Sequence, residues 1–157
     1  MIVRDEAPHA RLLRRGRVSQ SGRIYLVTTV TAAREPLFLN FCVGRVVVDA
    51  LRWLQNQARA TTLAYVLMPD HLHWLFELQE ASTLSRVMHS LKSYSARQIN
   101  RLLGREGSSV WQTGFHDHAV RREEDIIKLA RYVVENPLRA GLVRRIEDYP
   151  HWDEKWL

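Results

Sequence analysis

This 157-residue sequence has only one cysteine and no long apolar run, and each absence excludes a class of protein. The single Cys42 rules out an internal disulfide and a zinc site built from clustered cysteines. No apolar stretch reaches the ~18 residues that a membrane-spanning helix needs, and the arginine-rich start lacks the apolar centre of a signal peptide. Seven glycines and five prolines are too few for a collagenous or low-complexity chain. These absences predict one soluble globular domain, located in the cytoplasm and not in a membrane.

Acidic residues are the minority among the charged residues. Seventeen of them stand against 23 basic residues, which gives a net charge of +6 and an isoelectric point near 10.0. This balance favours a polyanionic partner. Only three of the basic residues are lysines, and the planar guanidinium of arginine suits bidentate contact with phosphate, although a GC-rich genome would also enrich arginine. Arginines are densest in residues 1–22, which we interpret as a basic leader.

The first half of the chain after this leader alternates between strand and helix patterns. Residues 23–32 are rich in β-branched and aromatic types and predict a strand, whereas residues 40–60 carry apolar residues at helical spacing behind a possible cap at Asn40. Two further strands are predicted over 62–67 and 71–78. A Met-Pro-Asp turn of hairpin length joins them, so we predict a β-hairpin.

The second half of the chain continues the same alternation. A helix capped by Thr83 runs to a stop at Gly104, and a loop follows over 104–109. Residues 110–121 look extended, a third helix begins near Glu123 and ends before Pro137, and residues 138–157 predict an irregular tail with a short helical turn.

The resulting order of elements is β, α, β, β, α, β, α, which predicts an α+β fold. One antiparallel hairpin combined with helical crossovers is typical of the ferredoxin-like split βαβ sandwich, which is similar to an RNA-recognition module, and we expect helices on one face of the sheet. The predicted domain covers 23–150, between the leader and a C-terminal tail over 151–157.

The sharpest local motif is the pair His71 and His73, directly after the hairpin turn. Side chains two residues apart on a strand point to the same face, with ~7 Å between their α-carbons, so two imidazoles can converge on one metal ion. Leu72 between them would face the packed side. His116 and His118 form a second pair of this kind.

A third metal ligand is available on the last predicted helix. Tyr132 and Asn136 lie at i and i+4 and therefore share one helix face. Asn136 offers a carbonyl oxygen, and Tyr132 offers a phenol that can act as a nucleophile. The alternative is that Tyr132 is an ordinary core residue and that Asn136-Pro137 only ends the helix.

Three segments together resemble a known family. YVLMPDHLHWLFEL (Tyr65 to Leu78), WQTGFHDHAVR (Trp111 to Arg121) and ARYVVENPLRAGLV (Ala130 to Val143) are similar, in order and spacing, to the signature blocks of the REP-associated tyrosine transposases. These form a branch of the single-tyrosine HUH transposases. The resemblance extends over about residues 23–150, which is most of the chain.

This resemblance implies a ferredoxin-like enzyme that nicks and rejoins single-stranded DNA with one tyrosine and a divalent metal ion, Mg²⁺ or Mn²⁺. By position, Tyr132 matches the nucleophile, while His71, His73 and Asn136 match the metal ligands. His118 is a possible site-lining residue. The implied partner is a hairpin-forming repeat, the repeated extragenic palindrome, and the branch favours a monomer over a dimer. The candidate DNA-binding residues are Arg14, Arg15, Arg17, Arg121, Arg122 and Arg139.

Two other functions fit parts of the same sequence. The first is a noncatalytic single-stranded nucleic-acid-binding module of the same fold, which would stack bases on Tyr65, Trp74 or Phe76 if these were exposed on the sheet. The second is a metal-dependent hydrolase that combines both histidine pairs and uses water as the nucleophile. A hydrolase would turn over without forming a covalent adduct with DNA.

Overall fold

A computed structural model describes residues 22–80, 82–121 and 125–155, and its centre is a five-stranded antiparallel sheet. The strand order is β4-β1-β3-β2-β5, so the first four strands have the predicted ferredoxin-like order and the α+β fold class is confirmed. The strands are β1 (Ile24–Val30), β2 (Ala60–Met68), β3 (His71–Leu78), β4 (His116–Ala119) and β5 (Trp152–Glu154). The helices are α1 (Phe41–Asn56), α2 (Leu84–Leu103), α3 (Ile126–Val134) and α4 (Asn136–Arg139).

The helices begin where short polar side chains cap their first turns. Asn40 accepts hydrogen bonds from the backbone N–H groups of Cys42 and Val43, and Thr83 accepts one from Arg86, so both predicted caps are confirmed. Gly104 ends α2 in the left-handed region at φ 66°, which a residue with a side chain adopts only at a cost. Helix α3 begins after Asp125, whose carboxylate accepts from the Lys128 N–H, and the predicted start near residue 123 lies outside the described residues.

The predicted hairpin is formed by β2 and β3. Met68 pairs with His71 and Leu67 with Leu72, which leaves a two-residue Pro69-Asp70 turn. Strand β3 also pairs with β1 on its other side and is therefore central in the sheet. A central position fixes the direction of every side chain on β3, because both neighbours hold its register.

The two faces of the sheet are covered by different helices. Helices α1 and α2 cover a face that includes Val27, Leu72, Trp74 and Phe76, as expected for the fold. Helix α3 covers the second face, where its apolar residues pack against Leu26, Ala64, Val66 and Leu75. The expectation that helices cover only one face is therefore wrong.

The residues proposed as a base-stacking platform lie in the core. Trp74 and Phe76 are 0% exposed and stack on each other with ring centroids 3.9 Å apart, and Tyr65 is 8% exposed. The idea that these rings are available on an open sheet is therefore wrong. Their large apolar area is used to hold α1 and α2 on the sheet.

The C-terminal segment is more regular than the sequence predicts. Residues Trp152–Glu154 form β5, which pairs with β2 through Val66 and Trp152, so the prediction of an irregular tail is wrong here. His151 is 1% exposed and packs against Gly44, where an added Cβ would lie 2.3 Å from the ring. The helical turn predicted within this segment is present as the 3₁₀ turn Ile146–Asp148.

The extended segment predicted over 110–121 is a regular strand only at β4. Before it, Trp111 forms a single bridge with Thr31, and this bridge ties the loop to the end of β1. Within the described ranges, no helix combines the length and the apolar character needed to cross a bilayer.

Candidate active site

His71 and His73 project from β3 on the second face of the sheet, opposite the face that buries Leu72. Their ring centroids are 4.7 Å apart and the rings meet edge to face at 83°. Both histidines are half-buried, whereas Leu72 between them is 0% exposed. The period of two along a strand explains this arrangement, and the structure brings the two imidazoles together as the sequence predicts.

The Nδ1 atom of each imidazole is already engaged by a neighbour. His71 Nδ1 lies 2.6 Å from Asp70 Oδ1, and His73 Nδ1 lies 2.8 Å from Thr28 Oγ1. Within the described residues, Nε2 of each ring is left available. Histidines that bind a metal through one ring nitrogen usually use the other nitrogen for such an anchoring bond, so the donor set fits a divalent cation.

Electrostatics keep His73 in the form that a metal ion requires. Burial, followed by electrostatic repulsion from His71 and Arg139, lowers the pKa of His73 to about 3. The ring is therefore neutral at physiological pH, with a lone pair available for coordination. At Asp70, burial acts to raise the pKa of the carboxyl, but the hydrogen bond and charge of His71 and the charge of Arg34 outweigh it and leave the pKa below its usual range.

Helix α3 places Tyr132 above this face of the sheet. Leu129, Ala130 and Val133 are buried between α3 and the sheet, while Tyr132 on another side of the helix is 46% exposed. The interpretation of Tyr132 as a core residue is therefore wrong. An exposed phenol at this position can be approached by a large substrate.

Asn136 caps the C-terminal end of α3. Its amide Nδ2 donates to the carbonyl oxygen of Val133 at 2.8 Å and, more weakly, to that of Tyr132 at 3.4 Å. These carbonyls belong to the last turn of α3, where side-chain donors add to the hydrogen bonding of the helix end. Because the nitrogen is used for capping, the amide Oδ1 remains as the candidate metal ligand.

Arg139 lies against Tyr132 at the end of the helix, and its charge acts on the histidine pair. Its guanidinium carbon lies 3.8 Å from the centroid of the Tyr132 ring, and its Nη2 donates to the Tyr132 carbonyl oxygen. The same charge contributes to the lowered pKa of His73. Arg139 is therefore a candidate DNA-binding residue that lies directly against the predicted nucleophile.

The structure describes one other candidate arginine. Arg121 is exposed just after β4. The remaining predicted DNA contacts fall in segments that lie outside the described residues, and these are Arg14, Arg15, Arg17 and Arg122.

The second histidine pair shares the face of the sheet but does not join the first. His116 lies opposite Thr28, which lies opposite His73, so His116 and His73 are two strands or roughly 10 Å apart. His118 lies opposite Leu26 on the same face, further along the strand. Among residues 22–80, 82–121 and 125–155, no three His, Cys, Asp or Glu side chains converge for metal binding. The four-histidine hydrolase therefore has no common metal centre in this part of the chain.

Three residues of this site escape sequence reasoning. Thr28 is separated from its partner His73 by 45 residues, and only the register between β1 and β3 brings them together. Asp70 directly precedes His71 in the sequence, but aspartate is common in turns, so its position alone does not indicate a role in the site. Arg34 lies in a short 3₁₀ turn, and its Nη1 reaches Asp70 Oδ2 at 3.4 Å.

Comparison with protein families gives an independent indication of function. Residues 19–136 match the family model described as Transposase IS200 like. A Haemophilus influenzae protein assigned as a REP-associated tyrosine transposase is 31% identical over 140 residues, which cover 83% of this chain and 78% of the relative. The REP-associated tyrosine transposase of Escherichia coli K12 is 28% identical over 88 residues, or 55% of this chain and half of that protein.

Solved structures agree on the fold. A REP-associated tyrosine transposase bound to a REP hairpin superposes with a TM-score of 0.70 at 23% identity, covering 87% of this chain and 79% of the other. A candidate transposase from Deinococcus radiodurans gives a TM-score of 0.55 at 20% identity, covering 85% and 95%. At these identities the likeness extends to the fold alone.

Proposed function

This chain belongs to the IS200-like transposase family, and from that premise we propose that it cuts and rejoins single-stranded DNA with Tyr132 as the nucleophile. One observation carries the proposal. The histidine pair, with each Nδ1 anchored, lies on the sheet face that α3 also covers, and Arg139 stacks on an exposed tyrosine of α3 while its charge acts on His73. A module that only binds DNA has no need of this combination.

The proposed reaction is a transesterification at one phosphodiester. The Tyr132 oxygen forms a bond to phosphorus as the bond to the 3′ oxygen breaks, which gives a 5′-phosphotyrosine and a free 3′-hydroxyl. The proton lost by the phenol is balanced by the proton gained by the departing 3′ oxygen. Because the covalent intermediate retains the phosphodiester energy, a second 3′-hydroxyl can displace the tyrosine without ATP.

His71 Nε2, His73 Nε2 and Asn136 Oδ1 would hold a divalent cation, either Mg²⁺ or Mn²⁺. When bound, the cation polarises a non-bridging phosphate oxygen and offsets charge that develops in the transition state. Mixed nitrogen and oxygen ligands suit Mn²⁺ at least as well as Mg²⁺.

Arg139 supplies positive charge beside the nucleophile. With its guanidinium against the Tyr132 ring, it is in a position to contact the phosphate that Tyr132 attacks. A planar guanidinium can donate two parallel hydrogen bonds to phosphate oxygens, which lysine cannot. Arg121 would hold the strand further along.

We further propose that the substrate is a hairpin-forming repeat of the REP type. The support is the similarity to proteins of that name, one of which has been solved with a REP hairpin. A single strand can bend towards a half-buried site, whereas the backbone of a regular duplex is stiff. We expect the protein to act as a monomer, with His118 lining the strand path.

Labelled oligonucleotides test the proposed function directly. Single-stranded hairpin DNA labelled at the 5′ or the 3′ end is incubated with the protein and Mn²⁺ and resolved on a denaturing gel. We expect a covalent protein adduct on the fragment that lies 3′ of the nick, together with a free 3′-hydroxyl on the other fragment. Cleavage without an adduct would indicate hydrolysis, and a shift on a native gel without cleavage would indicate the noncatalytic binding module.

A further inference from the structure

Asp70 stands between a histidine of the proposed metal site and an arginine. One carboxylate oxygen, Oδ1, lies 2.6 Å from His71 Nδ1, and the other, Oδ2, lies 3.4 Å from Arg34 Nη1. The Asp70 backbone is fixed as well, because its carbonyl oxygen accepts from the backbone N–H of Thr31 at 2.9 Å. Thr31 is fully buried.

The turn that presents Arg34 is built at a conformational cost. Ala33 and Arg34 both have positive φ, at 54° and 51°, although neither is a glycine. Neighbouring contacts hold this turn in place, because Thr31 Oγ1 donates to the Glu35 carbonyl oxygen and the Glu35 carboxylate pairs with Arg105 at 3.0 Å. Strained backbone that its surroundings hold in place is frequent at functional sites.

The two anchors of the histidine pair differ in chemistry. A carboxylate only accepts hydrogen bonds, so the proton at the Asp70 contact must sit on His71 Nδ1. The lone pair of His71 is then on Nε2 before any metal ion arrives. The Thr28 hydroxyl, in contrast, can donate or accept, and it imposes neither tautomer on His73.

We propose that Asp70, held by Arg34, is a positioning residue that fixes the Nδ1–H tautomer of His71 and so presents Nε2 to a divalent cation. This inference rests on the proposed function for the identity of the cation site. The tautomer itself is a property of the metal-free protein. It can therefore be measured whether or not the chain binds metal or cuts DNA.

The test begins with nitrogen-15 NMR of the histidine rings in the metal-free full-length protein at pH 8, where ordinary imidazoles are neutral. The His71 resonances are identified by their loss in a His71→Gln variant. In the wild type we expect His71 as the Nδ1–H tautomer. In Asp70→Ala we expect it to shift towards the Nε2–H tautomer that predominates in an unconstrained histidine side chain.

Calorimetric titration with Mn²⁺ alone gives the second measurement. Loss of an outer partner of a metal-binding histidine typically weakens metal affinity about 10-fold to 100-fold, and we expect that range for Asp70→Ala. Asp70→Asn keeps the shape but can donate as well as accept, so it should lose less. Arg34→Met, which retains the carboxylate, should lose least.

Asp49→Ala is the matched control, because it removes an exposed aspartate that pairs with Arg45 and Arg52 on α1, across the sheet from the histidines. It should leave the tautomer and the Mn²⁺ affinity unchanged. A His71 that is Nε2–H in the wild type, or an Asp70→Ala protein that keeps the Nδ1–H tautomer, would overturn the inference. If the wild-type tautomer is as expected but Mn²⁺ does not bind, the proposed cation site fails while the role of Asp70 in positioning the ring stands.

Discussion

Asn136 has two roles that different substitutions should separate. Its nitrogen caps α3 through the 2.8 Å bond to the Val133 carbonyl oxygen, and its oxygen is the proposed metal ligand. One hydrogen bond of this kind contributes about 1 kcal/mol to the free energy of unfolding. For a domain of this size, that loss lowers the melting temperature by roughly 3 °C. Asn136→Ala should show this decrease, and its Mn²⁺ affinity should fall about tenfold, a change of ~1.4 kcal/mol in binding free energy.

Asn136→Asp should separate the effect on helix capping from the effect on metal binding. The carboxylate keeps an oxygen for the cation but has no N–H to donate to the helix end, where a negative charge is also unfavourable by about 0.5 kcal/mol. The melting temperature should therefore fall at least as far as in Asn136→Ala, while Mn²⁺ affinity is retained or increased. Differential scanning calorimetry measures the first quantity, and isothermal titration with Mn²⁺ measures the second.

The control for this pair is Asn100→Ala on α2. Asn100 Nδ2 donates to the Ser108 carbonyl oxygen at 2.7 Å, a bond of similar geometry on the other side of the sheet. Its loss should lower the melting temperature without changing Mn²⁺ affinity. If Asn136→Ala binds Mn²⁺ as tightly as the wild type, or if Asn136→Asp binds it as weakly as Asn136→Ala, the reasoning that assigns Oδ1 to the metal is refuted.

Three further predictions concern the reaction and its substrate. Tyr132→Phe should abolish the covalent adduct on denaturing gels and leave DNA affinity and melting temperature nearly unchanged. The control Tyr94→Phe, which changes another exposed tyrosine, should still form the adduct. Cleavage by Tyr132→Phe would disprove the assignment of Tyr132 as the nucleophile. In calorimetric titrations His73→Ala should weaken Mn²⁺ binding far more than His116→Ala, and equal affinities would exclude His73 as a ligand. A hairpin with a single-stranded flank should be cut in preference to a matched duplex, and faster cutting of the duplex would contradict the single-strand mechanism. DNA affinity should fall steeply as salt is added. In Arg139→Gln the affinity should depend less steeply on salt concentration.

Local sequence patterns predict the parts of this fold that depend on neighbours along the chain. The alternation around Leu72 placed His71 and His73 on one face, and the caps at Asn40 and Thr83 were visible because a cap bonds to residues two or three positions away. These features need no knowledge of the tertiary structure. The histidine pair of the proposed site could therefore be predicted from the sequence.

Features set by pairing between distant segments were not accessible in this way. Thr28 meets His73 only through the register of β1 on β3, and no local pattern contains that register. Strand β5 is three residues long, and its extended form depends on the edge of β2, so its sequence does not distinguish it from a loop. The position of α3 on the second face likewise depends on packing with Ala64 and Val66.

The core of this protein also determines the geometry of its candidate site. Leu72 and Trp74 are 0% exposed on the face that α1 and α2 cover, and they alternate with His71 and His73 on the other face. A slip of β3 by one residue would turn both histidines into the apolar core and move Leu72 and Trp74 out of it, at a cost of several kcal/mol. The hydrophobic pattern therefore places the two imidazole ring centroids 4.7 Å apart. Substitutions in that core should consequently alter metal affinity only when they disturb the register of β3, and a conservative Leu72→Ile change should leave Mn²⁺ affinity intact even where it lowers the melting temperature.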